Sequence, residues 1–465
     1  MQYGLDEHWH EECGVFGIFG DPEAAEKTYL GLYALQHRGQ ESAGIASADG
    51  GSISLKKGLG LLWSVFSDPQ AMPRLRGTAA IGHNRYSTRG ASDIVNAQPI
   101  FIESRLGGMA LAHNGTITNA GELRRGLQEA GAIFQTTSDS EIMLHLMAHS
   151  REASFMDILR DALCRLEGAY SLVMLTPDRL IAVRDPFGFR PLSLGRAGSV
   201  CVVASETCAF DIIGADYIRS IEPGEILEVD SSGMRTHRLD PAPRLCACIF
   251  EHIYFARPDS LVFGEKVDKV RRRLGKELAR EAPCDADIVI AVPDSGNTAA
   301  LGYARESGLR YEIGLIRNHY IGRTFIAPHQ DKRKLDVRVK LNPVRGVVEG
   351  KRVVLIDDSI VRGTTMRQIV QLLRSKGARE VHVRISSPPI GYPCYYGIDI
   401  SDKAELIACA RSVDYIRDYI EADSLAYLST QAMLRTVEDG SKYCTACFTG
   451  AYPGPVPIGF QKIGF

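Results

Sequence analysis

The chain has 465 residues, with 54 basic and 56 acidic side chains and a formal net charge of −2. That balance excludes a strongly basic nucleic-acid-binding protein, so no nucleic-acid partner is expected. The length suggests about three domains or two large ones. An apolar fraction of 45% and a charged fraction of 24% are ordinary for a soluble globular enzyme.

No run of 18 apolar residues occurs, so neither a membrane-spanning helix nor a membrane partner is expected. The opening residues lack the basic and apolar regions of a signal peptide, which predicts a cytoplasmic protein. The 11 cysteines are an odd number spread over a long chain. That pattern argues against a disulfide framework and for catalytic or metal-binding thiols.

The first half of the chain, residues 13–240, consists of short alternating apolar runs. Such runs predict strands near 15–19, 44–48, 78–82, 109–112 and 171–175. Amphipathic spacing predicts helices near 22–36 and 139–149. Strands in runs with few helices indicate a mostly antiparallel α+β domain.

The second half, from about residue 250, changes to a strand–helix–strand pattern. Residues 287–292 and 353–356 are continuous apolar runs, as in buried parallel strands. Apolar residues at helical spacing follow over 366–373 and stop at Gly377, and 381–385 is the next strand. This βαβ unit indicates a parallel sheet. The boundary between the halves is predicted near 240–243, where prolines cluster.

Cys13 begins the first predicted strand, where a lone cysteine is more often a buried core residue. Four further motifs follow it in order. The five sequences are CGVFG at 13–17, QHRGQESAG at 36–44, HNRYST at 83–88, HNG at 113–115 and SDSE at 138–141. Together they resemble the glutaminase domain of N-terminal-nucleophile amidotransferases, which implies stacked antiparallel sheets between helices.

The chemistry of that family needs a thiol that can lose its proton. An α-amino group has a pKa of about 7.7–8.0 and can accept the proton if Cys13 is the first residue of the mature chain. We therefore expect residues 1–12 to be a propeptide that is cut between Glu12 and Cys13.

The resemblance also implies roles for four other residues of this half. The side chain of Asn114 and the backbone N–H of Gly115 match the oxyanion hole. Arg85 matches the residue that binds the α-carboxylate of glutamine, and Asp139 matches the partner of its α-amino group. Taken alone, Asn114-Gly115 would be read as a hairpin turn and Asp139 as a helix N-cap.

Residues 353–365 (VVLIDDSIVRGTT) predict a buried strand that ends in two acids, then a short loop and a helix. Backbone N–H groups at a helix N-terminus bind phosphate, and paired acids bind sugar hydroxyls and Mg²⁺. The segment resembles the phosphoribosylpyrophosphate motif of type I phosphoribosyltransferases, although a capped loop without a ligand is the alternative. The resemblance implies phosphoribosylpyrophosphate contacts from Asp357, Asp358, Ser359, Arg362, Gly363, Thr364 and Thr365.

A second loop, at 292–298, follows the preceding strand, where that family has its pyrophosphate loop. Ser295 in this loop resembles a magnesium-site residue. The resemblance thus implies one Mg²⁺ per subunit, held by Ser295, Asp357 and Asp358. The basic stretch at 318–342, with GRTF at 322–325, is either a solvated charged loop or a flap over the pyrophosphate.

A glutaminase followed by a phosphoribosyltransferase resembles the glutamine phosphoribosylpyrophosphate amidotransferases. The implied organisation is a propeptide at 1–12, a glutaminase domain at 13–240, and an α/β transferase domain with a cysteine-rich tail at 250–465. The implied reaction converts phosphoribosylpyrophosphate, glutamine and water to 5-phosphoribosylamine, glutamate and pyrophosphate in purine synthesis, with ammonia passed internally. The family also implies purine nucleotide inhibitors and a homo-oligomer, either a tetramer or a dimer.

Four cysteines stand in a pattern of their own. One C-x-x-C pair is a weak signal that fits a zinc site or a redox pair. With their flanking residues, however, Cys248, Cys394, Cys444 and Cys447 match the ligands of the iron–sulfur branch of the family, which implies a structural [4Fe–4S] cluster. Zinc and unliganded thiols remain the alternatives. Cys246 does not match in its spacing to Phe255, so Cys248 is favoured.

We expect cysteines 164, 201, 208, 284 and 409 to be small core residues. Hexosamine synthases and asparagine synthetases share the glutaminase motifs but lack the loop at 357–365. A ligand-sensing regulator or a redox sensor is disfavoured because every inspected catalytic position holds the expected residue type. The turn at 184–191 is expected only to pack.

Overall fold

The computed structural model describes residues 13–86, 93–318, 340–400 and 403–456. The first half contains two antiparallel sheets. The seven-stranded sheet has the order β11-β9-β10-β1-β4-β2-β3, with β1 Gly14–Phe19, β2 Ser42–Ala48, β3 Ile53–Leu59, β4 Ala79–Arg85, β9 Ser193–Ala197, β10 Val200–Ala204 and β11 Asp216–Ser220. The six-stranded sheet has the order β13-β12-β8-β7-β6-β5, with β5 Ile100–Ser104, β6 Gly107–Ile117, β7 Gly168–Leu175, β8 Arg179–Arg184, β12 Glu225–Asp230 and β13 Gly233–Arg238.

The two sheets stack face to face because the strands in their centres are apolar on the facing sides. Val15 and Ile81 of the first sheet pack in one core with Ala110 and Val173 of the second. A close approach is possible at Gly17, where a Cβ would lie 2.9 Å from Val203 Cγ2 in the same sheet and 3.0 Å from a methyl of the opposite sheet. A larger residue there would push the layers apart.

Helices cover the outer faces of this sandwich, as its apolar stripes require. The helix Ala24–Ala34 packs on the seven-stranded sheet. The six-stranded sheet is covered by Ala120–Glu129, Ser140–His149 and Phe155–Cys164. The predicted strands and both predicted helices of the first half are confirmed, and so is its antiparallel α+β class.

The second half is built on a parallel sheet with the order β18-β17-β21-β22-β23. Its strands are β17 Ile288–Ala291, β18 Arg310–Tyr311, β21 Arg352–Asp357, β22 Glu380–Ile385 and β23 Ser424–Tyr427. Three two-stranded pairs accompany it: β14 Ala247–Cys248 with β24 Tyr443–Cys444, β15 Leu261–Val262 with β16 Glu265–Lys266, and β19 Leu315–Arg317 with β20 Leu341–Pro343.

The helices around this sheet include the two long ones Val267–Glu281 and Asn297–Ser307, which pack together. The predicted helix after β21 spans Thr364–Ser375 and buries Met366, Ile369, Val370, Leu372 and Leu373. It ends before Gly377, which has a φ of +89°, so the predicted βαβ unit is confirmed. Shorter α-helices of the chain are Leu62–Val65, Cys208–Asp211, Arg345–Val348, Ile407–Ala410, Val413–Tyr419, Thr430–Leu434 and Ala446–Thr449. A π-helix spans Glu251–Phe255.

Two of the cysteine predictions are wrong. Cys164 and Cys409 are exposed, because Cys164 ends its helix on the solvent side and the helix Ile407–Ala410 buries none of its residues. The predicted propeptide and most of the predicted flap lie outside the described residues. Over the described ranges, no helix has both the length and the apolar character needed to span a bilayer.

Candidate active sites and cysteine cavity

Cys13 lies immediately before β1 and is buried, with 8% of its surface exposed. Its Sγ lies 3.4 Å from the carbonyl oxygen of Tyr86 at the end of β4, the neighbour of β1. Its own carbonyl oxygen accepts a hydrogen bond from Arg38 Nε at 3.2 Å. The sheet register therefore places the predicted nucleophile beside the motif that carries Arg85.

Asn114 and Gly115 lie within the long strand β6, so the hairpin-turn interpretation of this pair is wrong. The amide nitrogen of Asn114 is buried and has no hydrogen-bond partner among the described residues. Gly115 has a φ of +145°, and a Cβ at this position would lie 2.0 Å from the carbonyl oxygen of Ala169. A buried, unused donor next to an obligatory glycine is the arrangement expected of an oxyanion hole.

A hydrogen bond between the two sheets joins the strands that carry Arg85 and Asn114. His83 in β4 lies 2.9 Å, through Nε2, from the carbonyl oxygen of His113 in β6. Burial lowers the pKa of His83 to about 3, so this ring stays neutral at physiological pH. Arg85 lies two residues after His83 on β4, and Asn114 directly follows His113 on β6. Arg85 is buried and pairs with Glu41 at 3.3 Å.

Asp139 precedes the helix Ser140–His149, but its side chain makes no capping hydrogen bond. Its Oδ2 instead accepts from the backbone N–H of Ile117 at 2.9 Å, and its Oδ1 lies 3.8 Å from His113 Nδ1. Asp139 thus occupies the N-cap position as predicted, but its carboxylate binds elsewhere. The carboxylate is tied to the end of β6, the strand that carries Asn114.

The second candidate site forms at the carboxyl edge of the parallel sheet. Because β17 and β21 are adjacent, the loops after them meet, and Ser295 Oγ lies 3.4 Å from Asp357 Oδ1. Burial raises the pKa of Asp357 well above its usual value, and the adjacent charge of Asp358 raises it further. Burial also raises the pKa of Asp358. Two adjacent acids whose charged forms are disfavoured in this way would be stabilised by a cation beside them.

The loop that follows the acids leads into the helix Thr364–Ser375. Ser359 donates its hydroxyl to Asp358, and Gly363 forms the N-cap with a φ of +79°. The hydroxyl of Thr364 is buried without a partner among the described residues. Arg362 pairs with Glu405 at 2.7 Å. Thr365 lies in the first turn of the helix, whose free N–H groups suit a phosphate.

The four selected cysteines line one cavity, which Arg190 and Tyr452 also line. Cys248 and Cys444 are register partners in the parallel pair β14–β24. Burial raises the pKa of Cys444 to about 12 and also raises that of Cys447. Cys246 is buried but is not among the lining residues. Within the described part of the chain, no three or more His, Cys, Asp or Glu side chains form a group that could hold a single metal ion.

The turn at 184–191 packs against the segment that carries Cys394, a partner that no sequence pattern indicates. Arg190 donates from Nε and Nη2 to the carbonyl oxygen of Tyr396, at 3.0 and 2.6 Å. Phe189 stacks on the Tyr396 ring with centroids 4.3 Å apart. Gly397, next in the chain, has a φ of +114°, and a Cβ there would lie 3.3 Å from Gly115 Cα. The segment that carries Cys394 is thus pressed against the predicted oxyanion hole.

Each half of the chain matches a family model of known proteins. A family model described as a glutamine amidotransferase domain matches residues 83–211, and one described as a phosphoribosyl transferase domain matches 264–386. An amidophosphoribosyltransferase of Bacillus subtilis is 50% identical over 96% of this chain and 94% of its own length.

The chain belongs to the amidophosphoribosyltransferase family.

Other relatives agree with this assignment. Amidophosphoribosyltransferase 2 of Arabidopsis thaliana, a chloroplastic protein, is 53% identical over 96% of this chain and 80% of its own length. A solved structure described as the allosteric regulatory enzyme of purine biosynthesis superposes with a TM-score of 0.92 at 50% identity, covering 96% of this chain and 97% of that one. The B. subtilis enzyme complexed with ADP and GMP superposes with a TM-score of 0.91 at 49% identity, covering 96% and 98%. The fold class is that of an amidophosphoribosyltransferase, a glutaminase joined to a pentosyltransferase.

Proposed function

We propose that the chain hydrolyses glutamine at Cys13 and transfers the ammonia to the ribose of phosphoribosylpyrophosphate. The products are 5-phosphoribosylamine, glutamate and pyrophosphate, which is the first committed step of purine synthesis. The observation that carries this proposal is the presence, in one chain, of a buried cysteine, of a buried amide donor without a partner among the described residues, and of an acid pair followed by a loop and a helix N-terminus.

In the first half, the thiolate of Cys13 attacks the side-chain amide carbon of glutamine. The developing oxyanion is held by the Asn114 side chain and the Gly115 N–H, and loss of one such donor costs about 10²–10³ in rate. The C–N bond breaks as the amide nitrogen takes up a proton and leaves as ammonia. Water then hydrolyses the thioester to glutamate. Arg85 and Asp139 hold the two charged ends of the amino acid.

In the second half, ammonia attacks the anomeric carbon while the C–O bond to pyrophosphate breaks. No side chain needs to act as a nucleophile, so the protein's contribution is to position the substrate and to exclude water. The N-terminus of the helix Thr364–Ser375 suits the sugar phosphate. Asp357, Asp358 and Ser295 would hold Mg²⁺, which when bound supplies positive charge for the departing pyrophosphate.

The test is an assay of both products on the purified chain given glutamine, phosphoribosylpyrophosphate and Mg²⁺. We expect glutamate and pyrophosphate in nearly equal amounts, because one ammonia serves both half-reactions. Omission of phosphoribosylpyrophosphate is the matched control and should leave only a basal release of glutamate. Release of glutamate alone in the complete mixture would contradict the assignment of residues 357–365.

We also propose that Cys248, Cys394, Cys444 and Cys447 hold a [4Fe–4S] cluster. The support is that the four thiols line one cavity. Iron–sulfur clusters take four cysteine thiolates. When bound, the cluster would act as a structural cross-link between β14, the segment near 394 and the C-terminal helix Ala446–Thr449.

Metal analysis of anaerobically purified protein tests the cluster. We expect about four iron and four sulfide per chain in the wild type and a loss of both in Cys447→Ser. The matched control is Cys246→Ser, since Cys246 is equally buried but lies outside the cavity lining. One zinc per chain would favour the zinc alternative, and absence of any metal would favour unliganded thiols.

Removal of residues 1–12 is proposed for the mature protein, because the α-amino group of Cys13 can serve as the base only when it is free. Intact mass and N-terminal sequencing of active enzyme test this step. Retention of Met1 in fully active protein would refute it.

Three further properties are proposed from the resemblance and from the relatives. Purine nucleotides would inhibit this chain, as the complex of the B. subtilis enzyme with ADP and GMP suggests. The chain would form a homo-oligomer, a tetramer or a dimer, in the cytoplasm. Inhibition assays with ADP and GMP, sedimentation of the purified protein and cell fractionation test the three statements separately.

A further inference from the structure

A buried cluster of charges joins the two halves of the molecule beside Cys13. Arg38 is at its centre, and its guanidinium is completely buried. Its Nε donates to the carbonyl oxygen of Cys13 at 3.2 Å. Its Nη1 and Nη2 donate to the two carboxylate oxygens of Glu251, at 3.0 and 2.8 Å. Its Nη1 also donates to Glu206. One planar group therefore connects the main chain of the nucleophile to two buried carboxylates.

Glu251 comes from the opposite half of the chain, 213 residues away from Arg38. It lies outside both regions matched by the family models. It is the first residue of the π-helix Glu251–Phe255, a rare conformation that often occurs at functional sites. No sequence motif indicates a role for Glu251, because the resemblance in this segment concerns only Cys248.

The segment that carries Glu251 is fixed on both sides. Upstream, the backbone N–H of Cys248 donates to the carbonyl oxygen of Phe189 at 3.0 Å. Downstream, the buried Arg271 donates to three carbonyl oxygens. They belong to His252 at 2.8 Å, Tyr254 at 2.7 Å and Ala256 at 2.8 Å. The Glu251 carboxylate is thus presented from a rigid support.

Glu206 alone does not define the position of Arg38, because it has several other donors to satisfy. Its carboxylate accepts from His37 Nε2, from the backbone N–H of Arg257 and from Ser260 Oγ, each at 2.8 Å. Glu251 also lies 3.6 Å from Arg190 Nη1, but its two short hydrogen bonds come from both Nη atoms of Arg38. A carboxylate that binds a guanidinium in this two-pronged way fixes the plane of the group, and hence the direction in which Nε donates.

We propose that Glu251 is a positioning residue of the glutaminase site. It holds Arg38 in the orientation that binds the carbonyl oxygen of Cys13, and so fixes the main chain of the nucleophile. Glutamine hydrolysis in the first half therefore depends on a carboxylate of the second half. This inference rests on the proposed role of Cys13 as the nucleophile.

The test is Glu251→Gln, which keeps the shape of the side chain but removes its charge and one acceptor. We expect the kcat of glutamine hydrolysis to fall on the order of 10–100-fold, since small displacements of a reacting group have effects of this size. The KM for glutamine should stay within about twofold, because Arg85 and Asp139 are untouched. Ammonia-dependent synthesis should remain, which also reports that the variant is folded.

A matched control is Glu225→Gln. Glu225 is a buried carboxylate in β12 that accepts from both Nη atoms of Arg219, at 2.7 and 2.6 Å. The Arg219–Glu225 pair is a two-pronged arginine–carboxylate pair like Arg38–Glu251. Its hydrogen bonds go to neither Arg38 nor Cys13. We expect Glu225→Gln to keep the wild-type kcat for glutamine. An equal loss in both variants would reduce the effect to general destabilisation and overturn the proposal.

Two further variants cover the case in which Glu251→Gln fails to fold. Glu251→Asp keeps the charge but shortens the side chain, and should show the same fall in kcat at unchanged KM. Arg38→Lys removes the two Nη donors that bind Glu251. If Glu251 acts through Arg38, the double variant Arg38→Lys/Glu251→Asp should therefore be no less active than Arg38→Lys alone. Additive losses, or a folded Glu251 variant with wild-type kcat, would refute the positioning role. An inactive wild type would refute the proposed function instead.

Discussion

Replacement of Gly397 by alanine tests the contact between the cysteine-bearing segment and the oxyanion hole. Gly397 has a φ of +114°, and its new Cβ would lie 2.9 Å from Arg190 Nη2 and 3.3 Å from Gly115 Cα. Arg190 is completely buried and cannot swing away. Left-handed backbone costs an L-residue roughly 1–2 kcal/mol, and overpacking typically costs about 1–3 kcal/mol. We therefore expect a loss of about 2–5 kcal/mol in the free energy of unfolding.

Thermal unfolding and two activity assays measure this effect. A loss of that size should lower the melting temperature by roughly 4–20 °C, since 1 kcal/mol corresponds to about 2–4 °C in a domain of about 150–250 residues. Glutamine-dependent synthesis should fall by about 10-fold or more because the methyl group presses on Gly115, whereas ammonia-dependent synthesis should be retained. Gly391→Ala is the control, since a Cβ there meets nothing within 4 Å. If Gly397→Ala melted and reacted like Gly391→Ala, the reasoning would be refuted.

Three other predictions address the sites separately. Cys13→Ala should abolish glutamine-dependent synthesis and leave ammonia-dependent synthesis, both followed as pyrophosphate release; loss of both would contradict separate sites. Asp357→Asn should weaken phosphoribosylpyrophosphate binding by about 10-fold or more, measured by calorimetry with Mg²⁺ present, since it removes one charge from the cation site; unchanged binding would remove Asp357 from the site. His83→Gln should lose less stability than the wild type between pH 7 and pH 5. Burial lowers the pKa of His83 to about 3, so below about pH 6.5 only the unfolded wild type binds this proton, which costs about 2 kcal/mol by pH 5; equal losses in denaturant titrations would contradict this.

Local patterns determined much of the architecture. The apolar run at 353–356 and the helical spacing at 366–373 predicted β21 and its helix, because a buried strand and an amphipathic helix each carry their periodicity in the sequence. The motif around Cys13 likewise indicated a strand start, which the structure confirms. The prediction that Cys164 is a core residue is wrong, because the identity of a residue does not tell which side of a helix faces solvent.

Other features depend on which strands become neighbours. Ser295 and Asp357 are 62 residues apart and meet only because β17 and β21 pair in parallel. Asn114-Gly115 has the composition of a turn, yet it lies in a strand because β6 continues to Ile117 paired with β7.

The sequence by itself therefore determined the chemical inventory of the protein: a cysteine nucleophile motif, an acid pair before a phosphate loop, and four cysteines with recognisable flanks. Only the tertiary structure decided how these parts depend on one another. It brings Glu251 to Arg38 and Gly397 to Gly115 across the two halves. The physical reason is that such contacts join residues with no periodic relation along the chain, so they are specified by the packing of whole sheets and not by any local pattern.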